Sequence, residues 1–132
     1  MAYYYAKTVA RPFDEVVAAT RSALMEEGFG VITEIDVRQT MKAKIGEEFR
    51  AYTILGACNP RMAFEALQLE NKVGIMLPCN VIVQDVGAGR TEVAAVDPVA
   101  SMAAIANDAL KEKASVIGAS LRAAIDRIDV KA

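Results

Sequence analysis

The chain has 132 residues, enough for one domain with a real core and too few for two independent ones. Fifteen Lys and Arg against 17 Asp and Glu leave a net charge of −2, which removes the electrostatic case for binding nucleic acid or an anionic membrane. Histidine is absent, and with it Ser-His-Asp and Cys-His catalysis, imidazole acid–base chemistry and histidine-ligated metal within the chain.

The hydrophobic fraction of 54% lies above the usual range for a soluble domain, with alanine and valine carrying much of the excess. No apolar run approaches the roughly 18 residues of a membrane span. The reading is a soluble protein with more apolar surface than one small domain hides, and self-association is the simplest way to cover it. The opening "MAYYYAKTVARPFDE" has no basic region, apolar stretch or cleavage site of a signal peptide. With only two cysteines, it predicts a cytoplasmic protein with reduced thiols.

In chain order, "YYYAKTVA" (3–10) is rich in strand formers. Pro12 suits a first helical turn, and Phe13, Val16, Val17, Thr20 and Leu24 follow at helical spacing until Gly28, placed to end the helix in the left-handed region. "FGVITEI" (29–35) reads as a second strand. Asp36 with Gln39 three residues on predicts a capped short helix whose apolar side is Val37, Met41 and Ile45, stopped by Gly46. "FRAYTILGAC" (49–58) is a third strand. Asn59-Pro60 then caps and opens a helix with Ala63, Phe64 and Leu67 expected to point inward.

"VGIMLPCNVIVQDV" (73–86) is apolar on both faces, as a central strand would be, but Pro78 requires a bulge there or a strand that starts after it. "GAGR" (87–90) turns into "TEVAAV" (91–96), a hairpin. Asp97-Pro98 repeats the cap-then-proline device, and Leu110, Ile117, Leu121, Ile125 and Ile128 mark a long final helix with a break near Asn107-Asp108. The order predicts a single α+β domain over 1–132. Its sheet is mixed, of about five strands, with parallel crossovers plus one antiparallel hairpin, and helices cover at least one face.

"EEGFGVITEIDV" (26–37), "FRAYTILGACNP" (49–60), "GIMLPCNVIV" (74–83) and "AVDP" (95–98) resemble the family catalogued as domain of unknown function 302, over nearly the whole chain. The resemblance implies a small α+β domain with a mixed sheet, usually a homodimer. It brings no established reaction, substrate or cofactor.

Chemistry concentrates at "GACNP" and "LPCN", which hold Cys58-Asn59 and Cys79-Asn80. Cys58 precedes a capped helix, where unpaired N–H groups and the positive dipole end can stabilise a thiolate; against this, free cysteine is commonly a buried small hydrophobe. Cys79 reads as a core residue sharing its face with Val81 and Val83. The two are 21 positions apart, unlike a CxxC redox or zinc motif. They meet at one sheet edge only if their strands are antiparallel; the default parallel crossover separates them. Arg50 and Tyr52 share strand parity with Cys58, but eight residues put Arg50 about 26 Å away; Arg50 is read as reaching solvent and Tyr52 as packing its ring. Asp36, Cys58-Asn59 and Asp97 all mark strand-to-helix junctions and would line one polar cleft were their strands parallel. Glu34 reads as solvated. The clusters "GFG" (28–30) and "GAG" (87–89) lack the context of nucleotide loops. No metal site is expected. The functional expectation is a homodimeric, non-catalytic module that binds a small molecule or partner, with a thiol-dependent redox protein using Cys58 as the alternative.

Overall fold

The structure is a computed structural model that describes residues 2–129, so the ends of the expected 1–132 domain lie outside the described residues. Its elements are β1 (Tyr4–Val9), α1 (Phe13–Glu26), β2 (Gly30–Asp36), α2 (Val37–Ile45), β3 (Tyr52–Cys58), α3 (Pro60–Leu69), a 3-10 turn (Val73–Met76), β4 (Cys79–Gly87), β5 (Arg90–Val96), α4 (Pro98–Ser101) and α5 (Asp108–Asp126).

Local signals set most of these boundaries. Asp36 accepts from the Gln39 backbone N–H at 2.9 Å, Asn59 from Met62 at 3.2 Å, Asp97 from Val99 at 3.0 Å and Asn107 from Leu110 at 3.0 Å. Each satisfies an orphan donor of a first turn. Gly28 (φ 88°) closes α1 while Phe29 N–H reaches back to the Leu24 carbonyl, and Gly46 (φ 71°) closes α2. Ala88 and Gly89, both at positive φ, turn β4 into β5. β4 starts directly after Pro78, and the apolar residues before it form the 3-10 turn.

The five strands make one sheet in the order β1-β5-β4-β3-β2. The α+β class, the five strands and the long C-terminal helix are as expected. The parallel pairs are not formed: every neighbouring pair is antiparallel. The reason lies in the connections. Helix α2 buries none of its residues and does not cross the sheet, so β3 returns beside β2. The α3 segment likewise returns β4 beside β3, and only β1-α1-β2 is a crossover, spanning from one edge of the sheet to the other.

Helices α1 and α5 cover one face. Val16, Leu24, Leu121 and Ile125 pack on Leu55, Val81, Val83 and Val93, all 0–1% exposed. At roughly 1.5–3 kcal/mol per fully buried side chain, this layer is the main source of stability. Thr20 is buried in it without penalty because its hydroxyl donates to the Val16 carbonyl at 2.6 Å. A second, smaller core gathers Ala66, Val73, Met102, Leu110 and Ala114 between α3, α4 and α5. The C-terminal end of α5 is tied to the edge strand: Lys7 donates to the Asp126 and Ile128 carbonyls, and Tyr5 Oη donates to Asp126 Oδ1 at 2.6 Å.

No element among the described residues covers the other face. By register it carries Tyr4 and Ala6 of β1, Ala94 and Val96 of β5, Ile82 of β4, and Tyr52 and Ile54 of β3. Across it, Arg50 Nε donates to Gln84 Oε1 and Gln84 Nε2 donates to Glu92 Oε1, both at 2.8 Å. The Arg50 guanidinium lies 4.4 Å from the Phe49 ring centroid and 5.8 Å from that of Tyr52. Arg50 is exposed, as expected, and its guanidinium also lies over aromatic rings at the sheet surface, in keeping with the stacking preference of that group. Glu34 pairs with Arg21, an exposed contact.

Candidate ligand site

The antiparallel pairing of β3 with β4 decides where the cysteines sit. Ala57 is the register partner of Cys79, so Cys58, one residue on, lies at the same end of the sheet. Cys79, Val81 and Val83 share the helix-covered face, as period 2 predicts, and Cys79 is 5% exposed. Burial, and secondarily the neighbouring Cys58, push the Cys79 thiol up to about 11. Cys58 is half-buried, and both thiols are free.

Both cysteines line a cavity of about 350 Å³ between α3, the 3-10 turn, α5 and this end of the sheet. It opens at the seam between the two cores: Phe29 and Ile117 belong to the larger, Met102 and Leu110 to the smaller. Three local features leave this space. Ala63, Ala66 and Ala114 present methyl groups where larger side chains would close the gap. The register of β2 shifts between Val31 and Thr33, and the extra residue, Ile32, extends to the cavity rim. Proline at 78 stands at the cavity's edge directly before β4.

The helix α3 therefore faces inward differently from the sequence expectation. Ala66 is its buried residue, Ala63 lines the cavity, and Leu67, also lining it, stays 42% exposed. Phe64 is 62% exposed and points away, because the helix is docked by its alanines onto α5 and not by its largest apolar side chains.

The cavity wall is almost entirely apolar; its polar members are Cys58, Cys79, Asn59 and Lys113. Asn59 Oδ1 is used in capping α3, which orients the amide and leaves Nδ2 without a hydrogen bond among the described residues. Lys113 Nζ donates to Glu65 Oε1 at 2.7 Å, joining α5 to α3 at the rim, and this bond and charge hold the Glu65 carboxyl below its ordinary range.

The other expected site residues lie elsewhere. Asp36 ends β2, whose start at Gly30 pairs with Cys58, so Asp36 is at the opposite end of the sheet, roughly 16 Å away along the strand. Asp97 is at the cysteine end but caps α4 and pairs with Arg122 at 3.8 Å, in a shallow groove of its own. The single polar cleft expected from mutually parallel strands is not formed, since β2 runs opposite to β3 and β5. Asn80 is exposed on the open face beside Tyr3, Tyr4 and Tyr52. Sequence reading passed over Met62, Lys113, Glu65 and Met102; the available signal was the run of small residues in α3 and α5 where a close-packed core would take larger ones.

These features define a one-sided antiparallel α+β domain with an apolar cavity at the end of its central strands. The chain belongs to the family Domain of unknown function DUF302, whose model matches residues 5–128. No curated protein matches it. Among solved structures it is similar to the "Crystal structure of uncharacterized conserved protein DUF302 from Bacillus stearothermophilus", with 29% identity, 98% of this chain and 100% of that one covered, and a TM-score of 0.90.

Proposed function

We propose that this protein is a non-catalytic module that binds a small apolar molecule in the cavity at the Cys58–Cys79 end of the sheet, and that it works as a cytoplasmic homodimer. The cavity carries the reading. Its volume of about 350 Å³ is more than twice the roughly 150 Å³ of an engineered apolar cavity that holds benzene, and its wall offers contact area with few polar groups. Catalysis has less support, because among the described residues that line the cavity the one charged side chain, Lys113, is engaged with Glu65.

The test is titration with a neutral apolar fluorophore, N-phenyl-1-naphthylamine, read by emission. Saturation at one probe per chain and its loss in Ala63→Phe, with far-UV circular dichroism unchanged, support the reading. Binding that ignores Ala63→Phe refutes it.

The open sheet face supports the dimer. It carries Tyr4, Tyr52, Ile82 and Ala94, and the Arg50–Gln84–Glu92 row runs across it from a cationic to an anionic end. A twofold axis lying in the interface and passing over Gln84 brings Arg50 of one copy to Glu92 of the other, the self-complementarity that an isologous contact needs. Sedimentation velocity checks this: the wild type sediments as a dimer and Ile82→Asp as a monomer, whereas a monomeric wild type refutes it. The cytoplasmic placement rests on the two unpaired thiols. A thiol-dependent redox role for Cys58 gains little from its neighbour, since Cys79 stays protonated at neutral pH.

A further inference from the structure

The polar groups at the cavity rim are few enough to assign a ligand class, an inference that rests on the binding reading above. Asn59 lines this rim; its oxygen is committed to Met62, and its Nδ2, without a hydrogen bond among the described residues, lies beside Gly28 at the turn that leads into Phe29. Lys113 is the one cation among the described residues of the wall, and Glu65 already neutralises it at 2.7 Å. A carboxylate arriving at this rim meets a pair of zero net charge in which the ammonium's nearest acceptor position is filled. The ammonium has further N–H donors to offer, but the newcomer's charge then adds to that of Glu65, two carboxylates beside one ammonium at a half-exposed rim. A neutral molecule meets no such repulsion. If it carries a carbonyl or hydroxyl oxygen at one end, that oxygen can accept from Asn59 Nδ2 while the rest lies against Phe29, Met102 and Leu110. Scaling from the benzene-sized benchmark, the space holds about 14 non-hydrogen atoms.

We propose that the cavity selects neutral, medium-length apolar molecules with a single hydrogen-bond acceptor at one end, such as aliphatic ketones, esters or alcohols, and excludes the matching carboxylates, with the Lys113–Glu65 pair setting the choice and Asn59 holding the acceptor. The pair thus does two things at once. It clasps α3 to α5 across the opening, and it sets a carboxylate beside the one ammonium found among the described lining residues.

The experiment is isothermal titration of the full chain with 2-decanone, 1-decanol and decanoate, below the aggregation limit of each. The ketone and alcohol should bind at one per chain and decanoate at least tenfold more weakly. Glu65→Gln, an exposed and conservative change, should strengthen decanoate at least tenfold while altering the ketone less than threefold. Asn59→Asp keeps the oxygen that caps α3 and replaces the donor, so it should weaken the ketone at least fivefold with the melting temperature near that of the wild type. Decanoate binding as tightly as the ketone in the wild type, or a Glu65→Gln protein that treats decanoate as the wild type does, overturns the selection while leaving the cavity reading intact. Failure of all three ligands to bind overturns both.

Discussion

Titrating Cys79 should destabilise the fold in a defined alkaline window. The thiol is 5% exposed, and burial together with Cys58 raises it from 9.0 to about 11, so the native state holds this proton more tightly than the unfolded chain. Between these values the unfolded state has lost the proton and the native state has not. The unfolded state then binds fewer protons, and stability falls as pH rises. The contribution is intact below about pH 9, and about 1.4 kcal/mol is lost by pH 10. The loss approaches about 3 kcal/mol once the pH passes the native value of about 11. Urea unfolding followed by circular dichroism at a series of pH values measures it. The comparison is with Cys79→Ala, whose pH-independent cost from lost packing cancels when the slopes are compared. The wild-type curve should fall more steeply than the variant's between about pH 9 and pH 11. Parallel curves over that window would refute the burial argument and make Cys79 a freely titrating thiol. Alkylation read peptide by peptide adds a second check: the half-buried Cys58 should be modified well before Cys79 in the folded protein.

Other expectations are local. At Gly56 a methyl group would overlap Thr33 Oγ1 and come within 2.7 Å of Pro78 Cγ, so Gly56→Ala should cost about 2–3 kcal/mol in urea unfolding, and Thr33→Ala in the same chain should restore part of it. Gly118 lies within α5, and its added methyl would sit 3.4 Å from Pro98 Cδ, an ordinary contact; Gly118→Ala should therefore raise stability by about 0.5–1 kcal/mol, and a loss of more than that would contradict it. Tyr5 is held above its ordinary pKa by its hydrogen bond to Asp126 and by that carboxylate's charge. Asp126→Asn should lower the Tyr5 pKa in an NMR titration of the ring carbons, and an unchanged value would show the bond absent in solution.

Local chemistry was legible residue by residue. The caps at Asp36, Asn59 and Asp97, the stops at Gly28 and Gly46, the turn at Ala88-Gly89 and the burial period of Cys79, Val81 and Val83 all act within a few residues, so the sequence alone determined them. Strand direction was another matter. Whether α2 crosses the sheet depends on which face its apolar side can bury; Val37 is only half-buried, and Met41 and Ile45 stay exposed. That fact belongs to the packing of α1 and α5, far away in sequence, which already occupy the covered face. The resulting antiparallel order brought Cys58 and Cys79 to one end and sent Asp36 to the other. The cavity, too, was decided only in three dimensions. Alanines at 63, 66 and 114 are ordinary helix formers in sequence, and they become a vacancy only where α3, α5 and the sheet end converge without a larger side chain to fill the space between them.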